Sequence, residues 1–154
     1  MHFCEFIFDL ESILIRKNGE VKICRPIVDF ICEKYNRCYI ITKLSPERVN
    51  KVTCMINMED RIYYLQEPKY ISNNKKDITD VTARMLEKKS EKIVVAVGKS
   101  IIEALPLKKG DVKIMFDVRD VISQSILECV DYAIYSEDKL VEFLYKLDED
   151  ITRR

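Results

Sequence analysis

Short apolar runs alternate with longer segments of helical period along most of the chain. The runs are rich in Ile, Val, Phe and Tyr, which is typical of buried strands, and the segments between them repeat apolar residues at helical spacing. We predict strands at residues 3–8, 38–42, 61–65, 93–97, 112–116 and 132–135. We predict helices at residues 26–35, 46–55, 78–89, 100–105, 119–129 and 138–147.

Strands that alternate with helices favour a parallel sheet, because the helices serve as crossover connections. The sequence therefore predicts the α/β class, in a three-layer, Rossmann-like form with a mostly parallel sheet and helices on both faces. The 154 residues suit a single domain, which we expect over residues 1–148, followed by a polar tail at 149–154.

Two local signals sharpen this picture. In Ser45-Pro46-Glu47, a hydroxyl that can cap a helix precedes a proline suited to the first helical turn, so we expect a helix to begin there. In "ILIRKNGEVKI", two strand-like runs flank Asn18-Gly19, the dipeptide best suited to a tight hairpin turn. We therefore expect a β-hairpin soon after the first strand.

The charge balance bears on partners. The chain has 26 basic and 26 acidic residues and a formal net charge of zero, with no evident basic face, so we expect no nucleic-acid partner. Glu5, Asp9 and Glu11 interrupt the first apolar stretch, and no run reaches the 18 apolar residues typical of a membrane span. We expect a cytoplasmic protein that does not bind membranes.

The chain has six cysteines, none paired at a C-x-x-C spacing. Most fall inside apolar patterns, so we interpret them as buried free thiols and not as metal ligands. The single histidine, His2, stands near the start of the sequence, and we assign it no catalytic role.

Candidate chemistry lies at the strand ends. In an open parallel sheet, ligands bind beyond the carboxyl ends of the strands, near the point where the strand order reverses. The residues at the ends of the predicted strands or just past them include two acids, a threonine, two lysines and a glycine: Asp9, Glu11, Thr42, Lys43, Lys99 and Gly98. Their proximity at one sheet edge would form a polar site.

These residues resemble the motifs of the haloacid dehalogenase (HAD) superfamily, most closely its capless phosphatases and the phosphorylation domain of P-type ATPases. "FIFDLES" resembles the first motif, which implies Asp9 as the nucleophile and Glu11, in place of the usual aspartate, as the general acid and base. "YIITK" resembles the second motif, in which Thr42 would bind the phosphoryl group. The predicted hairpin resembles the family's flap, and no segment is long enough for a separate cap domain.

The remaining motifs match with substitutions. The third-motif lysine, which neutralises phosphoryl oxygens, corresponds to Lys76 or its neighbour Lys75, and the sequence leaves both open. "VVAVGKSIIEALPL" resembles the fourth motif, with Lys99 in place of its first acid and Glu103 in place of its second. On this resemblance Lys43, Lys75, Gly98 and Lys99 are the candidate substrate-binding residues, beside Lys76 and Thr42.

The resemblance also implies a magnesium ion, with Asp9 and Glu103 as its protein ligands. A lysine where the family has a carboxylate repels that ion: at about 5 Å and an effective dielectric of about 20, the cost is on the order of 6 to 7 kcal/mol. Either the Lys99 side chain points away and Glu103 reaches the metal, or the ammonium itself acts as the cation beside Asp9. We expect magnesium binding, and with it activity, to be reduced or lost.

Three functions stay open from the sequence. The first is a HAD-like phosphohydrolase or phosphotransferase acting on a small phosphorylated molecule or a phosphoprotein, in which the hairpin or a second copy in a homo-oligomer closes the site. The second is an inactive domain of the same ancestry that binds a protein partner. The third is a module that binds an anion or accepts a phosphoryl group at Asp9 without turnover.

Overall fold

The structure is a computed structural model that describes residues 2–42, 44–53, 61–64, 76–77, 91–99, 110–117 and 127–153. Residues 15–17, 46, 51–53, 64, 76 and 77 are described by their backbone alone. The strands are β1 (Phe3–Asp9), β2 (Leu14–Lys17), β3 (Glu20–Ile23), β4 (Cys38–Thr42), β5 (Ile62–Tyr64), β6 (Lys76–Asp77), β7 (Lys92–Gly98), β8 (Val112–Phe116) and β9 (Tyr132–Ile134). The helices are α1 (Leu10–Ile13), α2 (Arg25–Glu33), α3 (Pro46–Thr53) and α4 (Glu137–Thr152), with a 3₁₀ turn at Tyr35–Arg37.

Within the described residues, the main sheet has seven strands in the order β6-β5-β4-β1-β7-β8-β9, and every neighbouring pair is parallel. This confirms the α/β class and the parallel sheet. The chain builds the sheet outwards from β1 to β6 and then returns to add β7, β8 and β9 on the other side of β1. The strand order therefore reverses beside β1, where open α/β sheets bind ligands at the carboxyl ends of the strands.

Strand β1 is the central strand, because β4 and β7 pair with its two edges. Its last four residues are all buried, and Phe6, Ile7 and Phe8 have no exposed surface. Near-continuous apolar character is typical of a parallel strand covered on both faces. The apolar run is therefore the reason that Asp9, which ends β1, is carried into the interior.

One face of the sheet packs against α2 and α4 through Phe30. The Phe30 ring meets the Phe6 ring at 5.0 Å, the Phe8 ring at 6.3 Å and the Tyr145 ring at 4.9 Å, in edge-to-face geometry that aromatic rings favour. Alternate positions on the other face are buried as well: Ile7, Tyr39, Ile41, Tyr63, Val94, Ala96 and Met115. Both faces of the sheet are thus covered.

The predicted helices at 78–89, 100–105 and most of 119–129 lie outside the described residues.

The hairpin of β2 and β3 is present, paired from Leu14↔Ile23 to Lys17↔Glu20. Its turn residues Asn18 and Gly19 have φ angles of 54° and 79°, the left-handed values that a tight turn requires. The helix start at Ser45 is also confirmed, since its Oγ accepts the N–H of Arg48 at 3.4 Å.

The last helix is longer than predicted, since α4 continues to Thr152 where we expected a polar tail. Its final turns make tertiary contacts that the helical pattern alone does not reveal. Ile151 is buried, and Asp148 accepts two hydrogen bonds from the Arg37 guanidinium, at 2.7 and 3.0 Å. Arg37 also donates to the Cys4 carbonyl of β1, so the end of α4 is fixed to the central strand.

Two short elements differ from the prediction. Strand β6 lies in a segment where we predicted no strand, and a single helical turn, α1, separates Asp9 from the hairpin. The described cysteines are free: Cys4, Cys24 and Cys38 are buried, as expected, whereas Cys32 and Cys129 are exposed. None of the described helices is long and apolar enough to cross a membrane.

Candidate functional site

Asp9 is the centre of the candidate site. It has no exposed surface, and each of its carboxylate oxygens accepts a main-chain N–H. Oδ1 accepts the N–H of Ser12 at 2.5 Å, and Oδ2 accepts the N–H of Lys99 at 2.8 Å. The first bond fixes the carboxylate to the turn that follows β1, and the second fixes it to the end of β7.

The local sequence explains this arrangement. Asp9 has extended backbone angles and caps α1, and aspartate is among the preferred capping residues because its carboxylate accepts free N–H groups of the first turn. The turn is closed a second time by the Ser12 hydroxyl, which donates to the Asp9 carbonyl at 2.8 Å. These contacts hold the Asp9 carboxylate in a defined orientation at the carboxyl end of β1.

Opposing effects act on the pKa of Asp9. Burial is the largest and raises it above its ordinary value, because the surroundings of a buried carboxylate solvate its charge poorly. The N–H groups of Lys99 and Ser12 and the Ser12 hydroxyl lower the pKa, and the charge of Glu11 raises it. The net direction is upwards, so the protonated form of Asp9 is favoured relative to a free aspartate.

Two further candidates lie on the strands beside Asp9. Asp9 pairs with Ile41 of β4, so Thr42 is the next residue along that neighbouring strand. Thr42 is fully buried, and its Oγ1 accepts the N–H of Leu44 at 3.0 Å. On the other side, Phe8 pairs with Val97, so the strand end at Gly98 lies next to Asp9.

Lys99 reaches Asp9 through its main chain. Its half-buried side chain also acts on another group: the ammonium lowers the pKa of the Cys24 thiol, although burial and Glu137 raise that pKa overall. Cys24 and Glu137 come from the starts of α2 and α4. The Lys99 side chain thus acts on a thiol at the start of α2, while the Lys99 backbone lies beside the end of β1.

The other candidates divide by position. Glu11 lies half-buried in α1, near enough for its charge to act on Asp9. Lys76 lies in β6, three strands from β1, in the row that runs Asp9, Ile41, Tyr63, Lys76 across the sheet. At about 4.8 Å per strand, about 14 Å separates the backbones of Asp9 and Lys76. Lys43, Lys75 and Glu103 lie outside the described residues.

The resemblance implies a magnesium site with two protein carboxylates, those of Asp9 and Glu103. Of its two expected carboxylates, Asp9 is described, and its oxygens already accept two N–H groups. The described ranges contain no group of three His, Cys, Asp or Glu side chains that could hold a metal ion. Magnesium prefers six oxygen ligands in octahedral geometry. The described residues thus supply one of the two expected carboxylates, that of Asp9.

Sequence reasoning missed Ser12 and Cys24. Ser12 is 2% exposed and binds Asp9 twice, while Cys24 donates to the Ser12 carbonyl at a Sγ–O distance of 4.0 Å. The available signal was the spacing Asp-x-x-Ser, since a capping aspartate accepts the N–H two or three residues later. No comparable signal links Cys24 to Ser12, because their contact depends on how the hairpin folds back.

Comparisons with models of known protein families and with curated proteins give no match to this chain.

Proposed function

We propose that this protein is a HAD-like phosphohydrolase or phosphotransferase with Asp9 as its nucleophile. The observation that carries the proposal is the double hydrogen bonding of the Asp9 carboxylate, from Ser12 and Lys99, at the reversal point of a parallel sheet. A nucleophile must be held in one orientation towards its target, and preorganised N–H groups achieve this without moving during the reaction.

The proposed reaction has two steps. An oxygen of Asp9 attacks the phosphorus of a phosphate ester, the bond to the leaving oxygen breaks, and Glu11 gives that oxygen a proton. Water then attacks the phosphorus of the aspartyl phosphate, Glu11 takes the water's proton, and Asp9 is released with inorganic phosphate. A phosphotransferase would replace the water with an acceptor hydroxyl.

The two proposed phosphoryl-binding residues, Thr42 and Lys76, differ in their distance from Asp9. Thr42 is the best placed to bind the phosphoryl group, because it ends the strand that pairs with β1. Lys76 stays a prediction: its backbone lies three strands away, so a lysine side chain alone does not span the gap to Asp9. We propose the β2–β3 hairpin as the flap that closes over a small phosphorylated substrate, with a phosphoprotein as the larger alternative.

The test is hydrolysis of an aryl phosphate and a panel of phosphorylated metabolites, with and without magnesium. Turnover should vanish in Asp9→Asn and persist in Asp29→Asn, an exposed acid of α2 that serves as the matched control. Lys99→Asp tests whether the lysine weakens magnesium binding. A gain of magnesium-dependent turnover in this variant would show that Lys99 lowers the activity of the parent. Equal turnover in parent and Asp9→Asn would reject the proposal.

A second candidate is a non-catalytic domain that serves a protein partner. Two observations favour it: Asp9 is fully buried with both oxygens hydrogen-bonded inside the protein, and burial raises its pKa. A capping aspartate with no other role would show the same contacts. This candidate predicts that neither magnesium nor a phosphate analogue such as beryllofluoride raises the thermal unfolding temperature of the parent.

A further inference from the structure

We propose that Ser12 is a positioning residue that orients the Asp9 carboxylate through its side-chain hydroxyl. The inference rests on the proposed function in one respect, that Asp9 is the nucleophile. Ser12 is the last residue of the "FIFDLES" stretch, but the resemblance gives it no role, and its contacts with Asp9 are the basis of the inference.

Ser12 meets Asp9 at two points. Its N–H donates to Asp9 Oδ1 at 2.5 Å, and its hydroxyl donates to the Asp9 carbonyl at 2.8 Å. The two bonds close the same short loop, one through the carboxylate and one through the backbone. A carbonyl fixed at one end of the loop holds the N–H at the other end against the carboxylate. The hydroxyl also acts on the carboxylate directly, since its hydrogen bonding lowers the pKa of Asp9.

The surroundings make the hydroxyl contact strong. Ser12 is 2% exposed, so water does not compete with the Asp9 carbonyl for the Ser12 hydroxyl proton. A buried hydroxyl left without a partner costs about 1–3 kcal/mol, which further favours this bond. The Ser12 carbonyl in turn accepts the Cys24 thiol at 4.0 Å. The N–H of Cys24 donates to the Ile13 carbonyl at 2.7 Å, which fixes the end of the hairpin to the same turn.

The position of Glu11 follows from the same loop. Glu11 lies between Asp9 and Ser12, and its carbonyl accepts the N–H of Leu14 at the end of α1. Closing the loop at Ser12 therefore fixes the backbone of both acids, the nucleophile and the proposed proton carrier. Loss of the hydroxyl should slow the chemical step more than it weakens substrate binding.

The test compares the parent with Ser12→Ala, which keeps the N–H and removes the hydroxyl. The first readout is the hydrogen exchange of the Lys99 amide, which donates to the other oxygen of Asp9 and is remote from residue 12 in sequence. We expect its exchange to become about tenfold faster, as the loss of one hydrogen bond in a buried turn predicts. The second readout is kcat, expected to fall about tenfold with KM changed less than about twofold.

The matched control is Thr152→Val, which removes another hydroxyl that donates to a backbone carbonyl, that of Asp148 in the last turns of α4, without touching Asp9. It should leave Lys99 exchange and kcat unchanged. Ser12→Thr keeps a hydroxyl and should restore both readouts to near the parent values. If Ser12→Ala does not fold, Ser12→Thr decides: parent-like Lys99 exchange supports the proposal, and faster exchange overturns it.

The two proposals fail in different ways. Unchanged Lys99 exchange and unchanged kcat in Ser12→Ala would overturn the role of Ser12 while leaving the nucleophile in place. A parent that shows no turnover, with faster Lys99 exchange in Ser12→Ala, would support the positioning role and count against the proposed activity.

Discussion

The carboxylate of Asp9 accepts the main-chain N–H of Lys99, with 2.8 Å between Asp9 Oδ2 and Lys99 N. The residue that resembles a replaced metal ligand thus supports the candidate nucleophile through its backbone, which any residue except proline could do. The hydrogen bond that supports Asp9 is therefore independent of the Lys99 side chain. A lysine at this position changes the local charge without removing the hydrogen bond that orients Asp9.

Replacing the Lys99 side chain should cost little stability, whereas removing its N–H should cost more. We expect Lys99→Gln to change the free energy of unfolding by less than about 1 kcal/mol, because the main-chain bond is kept. Lys99→Pro leaves one oxygen of a buried carboxylate without its donor and should cost at least about 2 kcal/mol. Urea unfolding measures both, and equal losses in the two variants would contradict the main-chain role.

The ion pair between Asp148 and Arg37 should stabilise the protein at neutral pH. Arg37 donates to both oxygens of Asp148, and Lys34 lies 3.3 Å from one of them, all in a setting where Asp148 is 6% exposed. We expect Asp148→Asn to cost about 2 kcal/mol at pH 7, the size typical of hydrogen bonds to charged groups. Asp150→Asn, an exposed acid on the same helix, is the control.

The pH dependence of that loss has a definite sign. Burial alone would raise the pKa of Asp148, but Arg37 and Lys34 outweigh it and hold the pKa below its ordinary 3.8. A lowered pKa gives stability that is present above the unfolded-state value and lost as the pH falls through the folded-state value. The gap between parent and Asp148→Asn should therefore shrink below about pH 4. A gap that stays constant down to pH 2 would show that the charge is not responsible.

The hairpin turn depends on backbone conformation and not on space. Gly19 has a φ of 79°, and a side chain added there would meet nothing within 4 Å. Gly19→Ala should therefore cost about 1 kcal/mol through strain alone. Asn18→Gly, at a φ of 54°, relieves strain at the neighbouring position and should be neutral or slightly stabilising. Thermal unfolding compares the two, and an unaffected Gly19→Ala would mean that the turn adopts another geometry.

Cysteine labelling tests the core directly. Burial is the main cause that raises the pKa of Cys4 and of Cys38 to about 12, so their reactive thiolates are rare at neutral pH. The exposed Cys32 and Cys129 should react with a thiol reagent in the native protein, and Cys4, Cys24 and Cys38 only after unfolding. Mass spectrometry of labelled peptides locates the modified residues. Native labelling of Cys38 as fast as that of Cys32 would contradict the buried position of β4.

The sequence predicted those features that local chemistry determines. The Asn18-Gly19 turn and the Ser45 cap depend on residues next to each other in the chain, and both are confirmed. The prediction of a buried strand that leads to Asp9 follows from the apolar run Phe6-Ile7-Phe8, since parallel strands covered on both faces are largely apolar. Alternating strands and helices were enough to predict the parallel sheet.

Features that depend on distant contacts could not be predicted in this way. The bond between Arg37 and Asp148 joins residues 111 positions apart, and it extends α4 into a segment whose polar composition favours a loose tail. The hydroxyl of Ser12 acts on Asp9 only because a helical turn forms between β1 and the hairpin. The contact of Lys99 with Asp9 through the backbone is independent of side-chain type, so no residue pattern reveals it.

The most direct test of the central claim is to locate a phosphoryl group on Asp9. The parent is incubated with an aryl phosphate or acetyl phosphate, quenched in acid and digested, and the peptide that contains Asp9 is analysed by mass spectrometry. We predict an acyl phosphate on Asp9 in the parent and on no residue of Asp9→Asn. Turnover without a phosphoryl group on Asp9, or a parent that neither turns over nor becomes phosphorylated, would contradict the assignment of Asp9 as the nucleophile.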